Sequence, residues 1–346
     1  MDFLSVVGTR PQIVKLAVID DAFSKIGVGH SYIDTGQHYD SSLSNDIQND
    51  LGIKSPIVNL KVGSHTHAVQ TARIMERLEA ELSRLLPKTL LVYGDTNSTI
   101  AATLVAVKMG IKVAHVEAGL RSFNRRMPEE INRIATDHLA NILFCPTNTA
   151  MENLSREGLS EKSLNVGDVM CDLLIRDSAK FIKIEPSNHG LEEDFLVATI
   201  HRAENTDSAG RLKALIEAFS SVQKQIVLFA HPRLSARLSE FKLNFSENVL
   251  VRGPANHSEL LSWAVTSAGI ITDSGGLQKE AFILKIPCTT IRNETEWIET
   301  LENGWNVLVP NLSQLKFLLN VDRNRPQSNP FGDGKAAERI VTHLVG

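Results

Sequence analysis

The feature that most constrains this chain is a strict alternation of short β-branched runs with stretches of helical periodicity. Runs at Leu4–Val7, Ser31–Asp34, Thr89–Tyr93, Lys112–Val116 and Asn141–Cys145 read as strands. Between them lie helical stripes such as Ile74, Leu78, Leu82 and Leu85, spaced by four, four and three residues. Strands that alternate with helices and lack hairpin turns build parallel sheets covered by helices on both faces. A second series runs through Phe195–Ile200, Gln225–Phe229, Asn248–Val251, Gly269–Thr272, Pro287–Ile291 and Asn306–Val309. The polar stretch Glu185-Pro186-Ser187-Asn188-His189-Gly190 separates the two series and places the linker between about Gly167 and Phe195. The expected architecture is α/β, with two doubly wound domains over residues 1–170 and 171–330 facing a cleft. Ligands bind at the carboxyl ends of such strands.

Composition narrows the function classes. With 346 residues, 42% apolar and 22% charged, the chain matches an ordinary globular protein of two domains. The net charge of -4 argues against an electrostatic nucleic-acid binder. No apolar run approaches the roughly 20 residues of a spanning helix, and Met1-Asp2-Phe3-Leu4-Ser5 has no basic leader. Cys145, Cys171 and Cys288 are odd in number and set among apolar residues, which predicts buried thiols in a reducing cytoplasm. His65 and His67 form a His-x-His pair without a third ligand in view, so no metal site is expected.

Polar residues gather just after the predicted strands. Gly8-Thr9-Arg10-Pro11 follows the first, and Arg10 and Lys15 bring two cations to a helix N-terminus suited to an anion. A plain surface basic pair is the alternative. Asp95, in Gly94-Asp95-Thr96, is either a helix N-cap or a site acid. Glu117 stands where a strand gives way to its loop, a costly place for a lone carboxylate. Pro128 opens a helix whose first turn holds Glu129 and Glu130, and at most one of these adjacent residues faces a given site. Helix-dipole pairing alone also explains that Glu-Glu step.

In the second half His201 closes a strand. Thr272-Asp273-Ser274-Gly275-Gly276 follows another and opens a helix, so backbone N–H groups can approach a diphosphate. It is neither a Walker loop nor a GxGxxG fingerprint. Glu280 lies one helical turn beyond Gly276, where ribose hydroxyls are in reach.

These blocks together resemble the UDP-N-acetylglucosamine 2-epimerase family. The likeness is carried by Tyr93-Gly94-Asp95-Thr96, His115-Val116-Glu117-Ala118-Gly119-Leu120-Arg121, Pro128-Glu129-Glu130-Ile131-Asn132-Arg133 and Thr272–Glu280. It extends from Gly8 to Asn329-Pro330-Phe331-Gly332-Asp333-Gly334. The resemblance implies two Rossmann-like domains of glycosyltransferase-B type, with residues 331–346 returning to the first. It implies inversion at C2 of a UDP-linked 2-acetamido sugar, with no redox cofactor and no metal. Asp95, Glu117 and Glu129 are then acid-base residues, and His201 joins the catalytic set facing the phosphates. Ser274, Gly275 and Gly276 hold the diphosphate and Glu280 the ribose, while Arg10, Lys15, Arg202 and His231 complete the substrate-binding set. The partner is the UDP-sugar; no nucleic acid or membrane is expected, and a cytoplasmic homodimer is.

The chemistry accounts for such a set. The C2 proton is not beside a carbonyl, so a carboxylate alone cannot remove it. Departure of UDP from C1 builds positive charge there and acidifies that proton in the same event. Re-addition of UDP to the glycal, with protonation from the opposite face, inverts C2 and calls for two differently placed acid-base groups. Three departures from the family pattern bear on the sugar. Trp297 stands for a substrate-side arginine, Leu260 for an aromatic that stacks on uracil, and Arg125 and Arg126 enrich a compact loop. They are similar to branches that include 2,3-diacetamido-uronate epimerases. A hydrolysing relative that releases N-acetylmannosamine, a glycosyltransferase, and a nucleotide-sugar sensor are the competing readings.

Overall fold

A computed structural model describes residues 1–37, 52–317 and 324–346. The chain divides into two compact units, Met1–Arg176 with Pro330–Gly346, and Asp177–Asn329.

In the first unit seven parallel strands are joined by helices. They are β1 (Phe3–Val7), β2 (His30–Asp34), β3 (Val58–Asn59), β4 (Thr89–Tyr93), β5 (Lys112–Val116), β6 (Ile142–Cys145) and β7 (Ser163–Asn165), in the order β3-β2-β1-β4-β5-β6-β7. The helices are α1 (Arg10–Lys25), α2 (His67–Leu85), α3 (Asn97–Lys108), α4 (Pro128–Leu139), α5 (Asn148–Arg156) and α6 (Val169–Ser178). All five residues of β1 and of β4 are buried, as befits central strands covered on both faces. Ile74, Leu78 and Leu82, three residues of the stripe read from the sequence, are fully buried on α2.

The second unit repeats the plan. Its strands are β8 (Leu196–Thr199), β9 (Ile226–Phe229), β10 (Val249–Arg252), β11 (Gly269–Thr272), β12 (Cys288–Thr290) and β13 (Asn306–Leu308), ordered β10-β9-β8-β11-β12-β13. Helices α7 (Ala203–Thr206), α8 (Ala209–Ser220), α9 (Pro232–Phe241), α10 (His257–Thr266) and α11 (Gly275–Ile283) connect them. Its core mixes aliphatic side chains of β8, β9 and α8 with Phe195, Phe229 and Trp263.

The last helix, α12 (Ala336–Val345), packs Ala336, Ala337, Ile340 and Val341 into the core of the first unit. Asp172 fixes it there, since its carboxylate oxygens accept the N–H groups of Ala336 (3.0 Å) and Ala337 (2.7 Å). That satisfies two helix N-terminal donors with one side chain.

The expectation of two doubly wound α/β domains holds, and each strand read from the sequence lies within one or two residues of an observed one. The sequence reading omitted β3 and β7. They have two and three residues and are too short to carry a periodic signal. In each sheet the strand order reverses about its central pair, β1–β4 in one and β8–β11 in the other. That reversal opens a crevice at the carboxyl ends of the two strands. Among the described residues no helix is long and apolar enough to cross a membrane.

Candidate active site

The first unit gathers its polar groups at the reversal point. The exit from β1 is tight because Gly8 has no side chain: a Cβ there would lie 2.2 Å from both Ser98 Oγ and Thr35 Oγ1. Gln12 then ties the loop to the next strand. It accepts from Gly8 N–H at 2.8 Å and donates to the Tyr93 carbonyl at 2.7 Å. Nothing local marks Gln12 in the sequence, because the groups its amide donates to, on Tyr93, Thr96 and Thr99, lie some 80 residues away. Arg10 is exposed at the start of α1. Lys15, one turn further and 7% exposed, donates to Glu117 Oε1 at 2.6 Å.

Glu117 follows β5 with φ of +72°, a left-handed conformation that a residue with a side chain adopts only when its surroundings hold it. Its N–H and that of Ala118 both donate to the Phe144 carbonyl, at 3.1 and 3.0 Å. An ideal Cβ on Gly94 would lie 3.6 Å from both Glu117 Oε1 and Lys15 Nζ, so the carboxylate rests on the turn that carries Asp95.

Asp95 is not the helix cap. Thr96 is, its Oγ1 accepting the Thr99 N–H, and the Asp95 carboxylate pairs with Arg133 instead. The Asp95 side chain keeps 30% of its surface. Burial holds its carboxyl above the usual aspartate range, with Arg133 opposing and the nearby Glu117 reinforcing the rise.

The first turn of α4 sorts the Glu-Glu pair. Glu129 is exposed, whereas Glu130 is 1% exposed and clamps the preceding loop. Glu130 accepts from Ser122 N–H, Ser122 Oγ and Phe123 N–H, each at 2.9 Å, and from Arg133 Nη1 at 2.8 Å. These hydrogen bonds and Arg133 outweigh burial and hold its carboxyl below the usual glutamate range. Arg133 thus bridges Glu130 to Asp95. Phe123, with φ of +58°, stands 75% exposed on the clamped loop, and Arg125 and Arg126 beyond it are exposed.

The second unit assembles its own set at the β8–β11 reversal. Asp273, fully buried, accepts the N–H groups of His201 and Arg202 and the Asn205 amide, and it stands 3.1 Å from His201 Nδ1. Those donors and His201 outweigh burial and hold Asp273 below the usual aspartate range. The imidazole of His201 remains 41% exposed. His231 lies 5.8 Å from it, ring to ring, and caps α9 through Nδ1, which accepts the Arg233 N–H. Partial burial, then His201 and Arg233, hold His231 below the usual imidazole range.

Ser274 caps α11, its Oγ accepting from Leu277 N–H at 3.3 Å. The first-turn N–H groups of Gly275 and Gly276 have no carbonyl of their own helix to meet, the usual basis of an anion site. A Cβ on Gly275 would lie 2.5 Å from Glu296 Oε1, whereas one on Gly276 would meet nothing nearer than 3.9 Å. Glu280 accepts from His257 Nε2 at 2.8 Å. Among the described residues no cluster of three or more His, Cys, Asp or Glu could hold a metal ion. Cys145, Cys171 and Cys288 are buried outside any disulfide, and burial pushes the Cys145 and Cys288 thiols up to about 12.

Comparison with known proteins decides the family. The profile described as UDP-N-acetylglucosamine 2-epimerase matches residues 24–345. The chain belongs to that epimerase family. It is 42% identical over 357 residues to a UDP-N-acetylglucosamine 2-epimerase homolog of Methanococcus maripaludis, covering 99% of each chain. It is 38% identical over 362 residues to the UDP-2,3-diacetamido-2,3-dideoxy-D-glucuronate 2-epimerase of Pseudomonas aeruginosa, covering 100% of this chain and 99% of the relative. The crystal structure of the UDP-GlcNAc 2-epimerase of Methanocaldococcus jannaschii, in complex with UDP-GlcNAc and UDP, matches with a TM-score of 0.89 at 41% identity. That match covers 100% of this chain and 99% of the other.

Two of this chain's departures from the family pattern are packed against neighbouring side chains. Trp297 is 5% exposed, with Lys279 Nζ 3.9 Å above its ring, a cation–π contact. Leu260 packs on the Phe195–Trp263 cluster.

Proposed function

We propose that this chain is a non-hydrolysing UDP-N-acetylglucosamine 2-epimerase. The observation that carries the reading is the placement of Asp95 and Glu117 on neighbouring turns at the ends of β4 and β5, in a chain of this family, with Arg133 and Lys15 as their respective cationic partners. In the proposed reaction the C1–O bond to UDP breaks and its electron pair leaves with the diphosphate. The C2 proton passes to a carboxylate and C1=C2 forms. UDP then re-adds at C1 while a carboxyl group protonates C2 from the other face. Asp95, held in its protonated form to higher pH than usual, is the proton donor in the epimerising direction, and Glu117 the acceptor. Glu129 is the third acid, exposed for contact with substrate. Ser274, Gly275 and Gly276 present the N–H groups of α11 to the diphosphate. In the second unit His201, oriented by Asp273, and the neighbouring Arg202 and His231 supply further donors to departing UDP, and Arg10 of the first unit is a further substrate-binding cation. Glu280, oriented by His257, takes the ribose hydroxyls. The site acts in a cytoplasmic homodimer, the compartment in which three unbridged thiols stay reduced.

Proton NMR with UDP-N-acetylglucosamine in deuterium oxide tests the reaction. A second UDP-sugar carrying deuterium at C2 is expected. Free N-acetylmannosamine with UDP would favour the hydrolysing reading, and an epimer without deuterium would exclude the elimination route.

One observation favours a second substrate. The exposed Arg125 and Arg126 follow a loop clamped beside the Arg133–Asp95 pair, where a carboxylate on the sugar would find cations. On that reading UDP-2,3-diacetamido-2,3-dideoxyglucuronate is the preferred sugar. Comparing kcat/KM for the two sugars decides it, and equal or better turnover of the neutral sugar excludes the acidic one.

A further inference from the structure

We propose that His115 is a positioning residue that ties the two acids, Asp95 and Glu117, to a single backbone node. The inference rests on the reading of those two carboxylates as the proton-transfer groups.

His115 lies on β5, two residues ahead of Glu117, and its side chain is wholly buried. It cannot touch a ligand; whatever it does passes through its neighbours. Its Nε2 stands 2.8 Å from the Gly94 carbonyl, the group immediately before Asp95. A carbonyl can only accept, so Nε2 carries hydrogen and donates. Its Nδ1 stands 2.7 Å from Asp137 Oδ1, within hydrogen-bond distance. The other oxygen of Asp137 accepts the Gly119 N–H at 3.1 Å and Arg121 Nη1 at 2.7 Å. Arg121 continues to both oxygens of Glu157, at 2.7 and 2.8 Å, and Glu157 meets His138 at 3.0 Å.

These bonds converge on the two turns that carry the acids. Gly94 is gripped at both ends, its carbonyl by His115 and its N–H by the Val116 carbonyl at 3.0 Å. Glu117 is the next residue in chain. Beyond it, Gly119 is held by the same Asp137 that orients the imidazole. One buried ring therefore fixes the residue before Asp95 and, through Asp137, the segment after Glu117. Glu117 needs such support because its left-handed backbone conformation relaxes unless its surroundings over-determine it. In a buried polar network of this kind each bond polarises the next, so removing one member loosens the rest. The groups facing His115 and the two acids through this network include Asp137, Arg121, Glu157, His138, Lys15, Arg133 and Glu130.

The test uses the full chain with His115→Phe, which keeps a ring but removes both bonds, and His115→Gln, which restores a donor toward Gly94. Displacing acid-base groups by about an ångström costs about 10²-fold in turnover. His115→Phe should therefore lower kcat by about that factor while leaving KM and the Kd for UDP within about twofold. The limb of the kcat–pH profile belonging to Asp95 should move toward the ordinary aspartate range, and His115→Gln should recover at least about tenfold of the loss. A folded His115→Phe protein with parental kcat and an unmoved profile would overturn the proposal. If that variant does not fold, the parent still answers: long-range proton–nitrogen NMR should show a protonated, slowly exchanging His115 Nε2, and a bare Nε2 would overturn the tie. No turnover by the parent refutes the epimerase reading itself, which separates the two failures.

Discussion

Replacing Glu130 by glutamine isolates the clamp at the start of α4. Oε2 of Glu130 accepts three hydrogen bonds, from Ser122 N–H, Ser122 Oγ and Arg133 Nη1, and Oε1 accepts one from Phe123 N–H. The glutamine oxygen can take over the first three, which turns the amide NH₂ toward the Phe123 N–H, donor against donor. The variant thus loses one bond and the charge assistance of the others, and leaves the buried Arg133 with the Asp95 carboxylate as a charged partner where it had two. Charge-assisted bonds are worth about 1.5–3 kcal/mol and breaking a buried ion pair about 3–5 kcal/mol. Because three bonds survive, a loss of about 2–4 kcal/mol is expected, or roughly 4–16 °C in Tm for a unit of this size.

The sign of the pH dependence follows from the depressed carboxyl. A group held below its unfolded value stabilises the fold above that value, and the contribution is lost as pH falls through the folded one. The parent should lose this contribution as pH falls below about 4.5, the ordinary value for glutamate. Asp137 adds a similar loss below about 3.8. In the glutamine variant the acid slope should be shallower by the Glu130 share. Differential scanning calorimetry from pH 7 down to pH 3 measures both effects. A variant within about 0.5 kcal/mol of the parent, with the same acid slope, would refute the clamp.

Further expectations follow from the same geometry. Folded Asp95→Asn and Glu117→Gln proteins should each lose about 10²–10⁴-fold in kcat with little change in UDP affinity, read by steady-state kinetics and calorimetric titration; near-parental kcat would remove both from the chemistry. Gly276→Val has room within the fold, so it should weaken UDP binding while leaving Tm nearly unchanged. Gly275→Ala instead places a methyl group 2.5 Å from Glu296 Oε1, so the Glu296 carboxylate must swing away from it, disturbing its pair with Arg292. Unaltered UDP affinity in Gly276→Val would take the diphosphate away from this loop. Lys15→Met removes the partner of Glu117 and should reduce kcat more than it raises KM; the opposite split would make Lys15 a substrate-binding group in its own right.

Much of this protein was determined by local sequence. Strands such as Thr89–Tyr93 and Lys112–Val116 are short apolar runs bounded by polar turns, and their positions follow from side-chain periodicity alone. The residues after those runs follow with them, which is why Asp95, Glu117, His201 and the Ser274–Gly276 segment stood out as candidates before any pairing was known. Tertiary structure decided which groups meet. Asp95 could have been a cap until Arg133, 38 positions away, was seen to take its carboxylate and Thr96 to take the N–H. Glu129 and Glu130 are equivalent by sequence, and only packing against residues 122–123 buries one and exposes the other. Lys15 finds Glu117 across 102 positions, and Trp297 sinks beneath Lys279 although its place in the motif suggested a substrate-side group. Periodicity and turn chemistry act over a few residues and can be read in order along the chain. Burial and hydrogen-bond partners depend on which strands become neighbours, and that is fixed only when the sheet closes its register.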